Sequence, residues 1–182
     1  VKNTTISINY PLSINNSNKY YPYLDFIAKI IAGDLNSLLM KQLRLRDKLV
    51  YSINASIDTN FCSSYLNISM STDDHNIKYV IDKTKQILQE YSNKPISTNH
   101  LNNIKKISTQ ELYSICLSTP RSVSDFYTEQ YFFQLNKKNK TIFSLQDIYN
   151  NINSLNKSLI KKIIKYIIQQ PCLIGYTGQT KI

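Results

Sequence analysis

Three short runs in which apolar and small polar residues alternate constrain this chain more than any other feature. Ile6, Ile8 and Tyr10 alternate with Ser7 and Asn9 before Pro11, Tyr51, Ile53, Ala55 and Ile57 share one face after them, and Leu66, Ile68 and Met70 alternate again. A period of two sends every second side chain to the same face of a strand, so each run predicts a half-buried strand. The turn signals around Asp58 to Ser63 join the second and third runs into an antiparallel hairpin with one wet face. Cys172 to Tyr176 reads as a short buried closing strand, and Gly175 to Gly178 as a turn.

Between these runs the period changes. Leu24, Ile27, Ala28 and Ile31 recur at helical spacing up to Gly33, a natural helix stop, and Leu35, Leu38, Leu39 and Leu43 restart the stripe. Asp73 and Asp74 are placed to cap a helix carrying Ile77, Val80, Ile81, Thr84, Ile87 and Leu88; Ser97 opens another with Leu101, Ile104 and Leu112. A further helix is predicted from about Ser122 to Leu135, with a Lys-rich turn at 137 to 140 after it. Ser144 then N-caps a short helix, and Asn156 or Ser154 a last one with Ile160, Ile163, Ile164 and Ile167. The order lacks the strict alternation of a doubly wound parallel sheet. It predicts an α+β fold: a two-layer α/β sandwich whose mostly antiparallel or mixed sheet is covered on one face by helices. No linker or repeat divides residues 1–182, which are read as a single domain.

A chain of 182 residues with 42% apolar content can bury a substantial core. No membrane span is expected, because the most apolar helical stretch, Ile160 to Ile168, is broken by Lys161, Lys162 and Lys165. The net charge of +10 is spread along the chain without an aromatic-studded motif for base stacking, which ranks a nucleic-acid-binding module last among the readings. The start at Val1 and the end at Ile182 read as those of a piece of a longer polypeptide. Cys62, Cys116 and Cys172 are far apart and odd in number, consistent with three buried thiols in a reducing, intracellular compartment, cytoplasmic before mitochondrial.

Chemistry is sparse. His75 and His100 lack a second ligand at the spacing that lets a helix present two donors to one metal, so no zinc site is expected within this chain, and both read as solvated residues of cap regions. Glycines at 33, 175 and 178 cannot form a phosphate loop, and Asp73–Asp74 suits a helix dipole better than acid–base work. What remains is Leu43-Arg44-Leu45-Arg46-Asp47-Lys48-Leu49-Val50-Tyr51, a cationic helix end running straight into a strand.

That stretch resembles the Leu-Arg-x-x-x-x-Leu-x-Tyr signature in the C-terminal half of insulinase (pitrilysin) metallopeptidases, which include the mitochondrial processing peptidases. Leu43, Arg44, Leu49 and Tyr51 occupy its fixed places, and Ile31-Ala32-Gly33 with Asn36-Ser37-Leu38 is similar to the family's Leu-Gly-Gly and Ser-x-Leu upstream. The opening strand, helix pair, hairpin, Pro95-Ile96-Ser97 and Ile174-Gly175 follow in the family's order. The resemblance departs at Lys48, near which the family usually has a glycine or small residue, and at Leu38, where it has an Arg after the Ser.

The resemblance implies a mitochondrial-processing-peptidase-like metallohydrolase fold and a two-half clamshell closing over a peptide. Zinc would be held by His-x-x-Glu-His and a later Glu in a partner N-terminal half, on the same polypeptide or a sister subunit. Arg44 and Tyr51 would be the site residues here, donating hydrogen bonds to the peptide backbone and to developing oxyanion charge, a contribution of about 10²–10³ in rate in other enzymes. Some relatives keep the fold without peptidase activity, so a scaffold or partner subunit is the second reading.

Overall fold

The computed structural model describes residues 3–12, 20, 23–59, 64–94, 96–132 and 142–177, apart from the side chains of 3, 59, 115–117, 129 and 132. Its strands are β1 (Asn3–Leu12), β2 (Ser52–Thr59), β3 (Ser64–Asp73) and β4 (Leu173–Thr177). Its α-helices are α1 (Leu24–Ala32), α2 (Ile77–Tyr91), α3 (Thr98–Leu117), α4 (Pro120–Phe132), α5 (Leu145–Ser154) and α6 (Lys157–Ile168). A π-helix spans Met40–Arg46, and a 3₁₀ turn Asp74–Asn76 leads into α2.

The strands lie in the order β2-β3-β1-β4, and every pairing is antiparallel. Alternation sets the register. Ile6 faces Met70, Ile8 faces Ile68, and Ile53 and Ala55 continue the same rows across β3. All of these are buried, and Ile6, Ile8 and Ile68 are fully so. A slip of one residue would expose them and bury serines and asparagines, at about 1.5–3 kcal/mol for each large side chain, so the register is strongly specified. The opposite face carries Thr5, Ser7 and Asn9 against Ser71, Ser69 and Asn67. Asn67 Nδ2 knits that face by donating to Ser7 Oγ (2.8 Å) and Asn9 Oδ1 (2.7 Å).

Helices supply the other side of the core: Ile27, Ile30 and Ile31 of α1, Val80, Ile87 and Leu88 of α2, and Ile160, Ile163, Ile164 and Ile167 of α6 join the buried sheet residues in one cluster. Lys29 pairs with Glu111 between α1 and α3, and Lys105 Nζ donates to the Asn153 carbonyl at 2.8 Å between α3 and α5. Ser97, Ser144 and Asn156 cap α3, α5 and α6 through their side-chain oxygens, with a reciprocal capping box between Ser144 and Asp147.

Several expectations are corrected. Among the described residues β4 is an exposed edge strand paired with β1 alone: Leu173 is 67% and Ile174 36% accessible, and Tyr176 packs against the core. Five residues paired on one side alone cannot be covered as an interior strand would be. Gly175 lies within that strand opposite Ser7 rather than in a turn. His100 is buried, because as the third residue of α3 it donates its backbone N–H to Ser97 Oγ and packs its ring inward near Asp34 and Lys41. Asp73 gives α2 no side-chain cap, and the residue before α2 is Asn76. Cys172 is half-buried. The tip of the hairpin at 60–63, the turn at Asn15 to Lys19, Gly178 and the Lys-rich turn at 137–140 lie outside the described residues.

Candidate functional site

The site grows out of the junction between α1 and the hairpin. α1 stops at Gly33, whose N–H still donates to the Lys29 carbonyl at 2.8 Å. A Cβ there would stand 2.6 Å from Lys29 Cα, so only glycine fits this close turn. Asp34 then organises the reversal: its Oδ1 accepts from Asn36 N–H (2.8 Å), and its carbonyl accepts the Ser37 hydroxyl (2.6 Å) and N–H (3.1 Å). Ser37 is fully buried, and its own carbonyl accepts Lys41 N–H to start the next helix.

That helix is widened. Asp47 N–H reaches the Gln42 carbonyl (2.9 Å) and Leu49 N–H the Leu43 carbonyl (2.8 Å), each one residue further back than in an α-helix with a Schellman end. Leu38, Leu39 and Leu43 anchor it in the core while Arg44, Leu45 and Arg46 stay exposed. The chain turns out at Lys48, which adopts a left-handed φ of 52°. This is the position near which the resemblance leads one to expect glycine.

Thr72, fully buried on β3, donates its hydroxyl to the Leu49 carbonyl at 2.6 Å, and Tyr51 N–H donates to the Ser71 carbonyl at 2.8 Å. Both arms of the joint are thereby tied to β3. The tie has a consequence that alternation alone does not reveal: β2 begins at Ser52, and Tyr51 is turned out of the buried row with 49% of its surface accessible.

The two arginines differ in their commitments. Arg46 donates to both oxygens of Asp47 (Nε 2.7 Å, Nη2 3.1 Å) and to Gln42 Oε1 at 3.3 Å. Those hydrogen bonds hold the Asp47 carboxyl below its ordinary range and push the Arg46 guanidinium up, although so exposed a pair adds little stability. Arg44 is exposed and makes no hydrogen bond or ion pair among the described residues. The Tyr51 hydroxyl donates to Asp73 Oδ1 and Oδ2, each at 2.9 Å, and this hydrogen bond raises the phenol above its ordinary value. Nothing in the sequence pattern marks Asp73 as the partner of Tyr51; it reads as a helix cap.

Among the described residues no three His, Cys, Asp or Glu side chains gather as a metal would require. His75 and His100 remain apart, on the exposed 3₁₀ turn and in the buried start of α3. The described donor set does not fit zinc.

The sheet, its helices and this joint define an α+β domain with no metal site among the described residues. The Peptidase M16 inactive domain family matches residues 1–108, more than half of the chain, and the chain belongs to that family, the insulinase/pitrilysin group, as a C-terminal domain. The peptidase M16 inactive domain from Pseudomonas fluorescens is similar over 98% of this chain and 42% of its own (15% identity, TM-score 0.78). The inactive peptidase domain of a candidate zinc protease from Bordetella parapertussis is similar over 99% and 94% (13% identity, TM-score 0.77). A chain of complex III2 from Candida albicans is similar over 98% and 43% (18% identity, TM-score 0.71). At these identities the likeness establishes the fold. This chain spans about two fifths of the Pseudomonas and Candida proteins. No curated protein matches it.

Proposed function

We propose that this chain, as a single domain, is the substrate-gripping half of a zinc metalloendopeptidase, with Arg44 and Tyr51 engaging the backbone of a peptide. Zinc belongs to an N-terminal half on the same polypeptide or a sister subunit, where it would supply the attacking hydroxide. The observation that carries the reading is the joint from Met40 to Tyr51: its apolar residues and backbone are locked to the core and to β3, yet its two signature polar side chains are left outside. Structural ends of helices do not need such a display. Exposed side chains on a rigid support are what backbone recognition requires, since a group held in place loses little freedom on binding.

In the full-length protein, Arg44→Ala lowers kcat/KM for peptide hydrolysis by about 10²–10³, and Tyr51→Phe by about tenfold or more, with unfolding transitions unchanged. Unaltered turnover in either variant would sink the assignment. Likeness to the complex III2 chain favours a second reading, a non-catalytic scaffold or partner subunit. Absence of His-x-x-Glu-His from the companion half, on the same polypeptide or a sister chain, would select it.

A further inference from the structure

Asp73 stands where its ordinary work would be capping. Its backbone is extended (φ −74°, ψ 146°), the geometry of an N-cap, and the 3₁₀ turn Asp74–Asn76 follows at once. Yet its side chain makes no cap hydrogen bond. Both carboxylate oxygens instead lie 2.9 Å from the Tyr51 hydroxyl. Its neighbour Asp74 is taken by the Thr4 hydroxyl, and among the described residues no Lys or Arg forms a salt bridge with Asp73. The carboxylate charge therefore acts on the phenol.

A tyrosine hydroxyl has one proton and two lone pairs. With the proton directed at Asp73, the lone pairs of the hydroxyl on this half-exposed side chain are what a ligand meets. Arg44, by contrast, has five N–H donors, no acceptor and no partner among the described residues. The two signature side chains are thus set up for opposite halves of a peptide group.

We propose that Asp73 is a positioning residue which, by holding the Tyr51 proton, makes Tyr51 an acceptor for a backbone N–H of the bound peptide and leaves donation toward the peptide carbonyl to Arg44. This rests on the peptide-gripping reading and divides its labour. The carboxylate polarises the phenol, so the oxygen accepts more strongly than a free tyrosine would. The same hydrogen bond raises the phenol above its ordinary value, so a ligand meets Tyr51 as a protonated hydroxyl over the whole physiological range.

The test uses the full-length protein and an internally quenched peptide that it cleaves, together with analogues in which each backbone N–H flanking the scissile bond is replaced, one at a time, by an ester oxygen. The proposal expects one ester position to cost the unaltered protein about tenfold in kcat/KM and to cost Tyr51→Phe less than about twofold. Asp73→Asn should lower kcat/KM severalfold in the Tyr51 background and leave the Tyr51→Phe background unchanged. In ¹³C-tyrosine NMR of the same proteins, Asp73→Asn should bring the Tyr51 titration down toward 10.0, the ordinary phenol value, which reports that Asp73 holds the phenol proton, while the ester comparison separates that hold from a merely structural contact.

If every ester costs Tyr51→Phe as much as the unaltered protein, or if Asp73→Asn acts equally in both backgrounds or leaves the titration in place, the proposal falls while the gripping role stands. If Tyr51→Phe keeps full turnover, or if no peptide is cleaved at all, the gripping reading and this assignment fall together.

Discussion

Lys48 is a lysine where the backbone asks for glycine, and Lys48→Gly tests that statement directly. Its φ of 52° places Cβ against the following carbonyl, which costs an L-residue about 1–2 kcal/mol. The strain persists because the joint is over-determined: Leu49 N–H is bound to the Leu43 carbonyl, and the Leu49 carbonyl to Thr72. Glycine removes the strain but returns about 0.4–1 kcal/mol through the greater freedom of the unfolded chain. The net expectation is a gain of about 0.5–1 kcal/mol. For a chain of this length that corresponds to a rise in Tm of about 1–4 °C. Thermal and urea unfolding, with an unchanged denaturant slope, measure it. Lys48→Ala is the control, because it removes the charge and stem but keeps Cβ, and it should bring no gain. A loss of stability in Lys48→Gly, or an equal gain in Lys48→Ala, would refute the reasoning, since the effect would then come from the side chain and not from φ.

Three further outcomes follow from the same joint and core. Gly33→Ala forces a Cβ to 2.6 Å from Lys29 Cα and should cost about 1–3 kcal/mol in chemical denaturation, whereas Gly175→Ala meets nothing within 4 Å and should be neutral or slightly stabilising. Thr72→Val removes the hydroxyl that satisfies the Leu49 carbonyl and should cost about 1–3 kcal/mol, with a parallel fall in peptide turnover because Tyr51 stands two residues on. Burial lowers the His100 pKa below its ordinary 6.5, with Asp34 opposing the shift and Lys41 adding to it, and its Nε2 has no hydrogen-bond partner among the described residues. The native state therefore binds that proton less readily than the unfolded chain. Stability should be complete above about pH 6.5 and decline as pH falls toward the native pKa, and His100→Leu should flatten that part of the profile.

Much of the fold is legible in residue periods. Alternation at Ile6 to Tyr10, Ile53 to Ile57 and Leu66 to Met70 specifies strands with one apolar face, and the helical stripes at Leu24 to Ile31 and Ile77 to Leu88 specify their cover, because periodic burial is a local property of the chain. Caps at Ser97, Ser144 and Asn156 are equally local, each needing only its own backbone N–H partner three residues on. Arg44 and Tyr51 stand out only through a resemblance.

Other features depend on partners distant in sequence. The exposure of β4 is set by its pairing with β1 alone, and the burial of His100 by the elements α3 packs against. Apolar runs do not say which strand ends at an edge, and a histidine in a first helical turn does not say which way the helix will face. The Tyr51 to Asp73 hydrogen bond joins the residue just before a hairpin to the hairpin's last, which its antiparallel register brings together at the open end. The residues by themselves determined a half-wet antiparallel sheet, its helices and a cationic helix end leading into a strand. Only the tertiary structure decided that Lys48 turns left-handed, that Tyr51 leaves the buried row, and that a carboxylate placed to cap a helix holds a phenol instead, because each depends on the tie between the joint and β3.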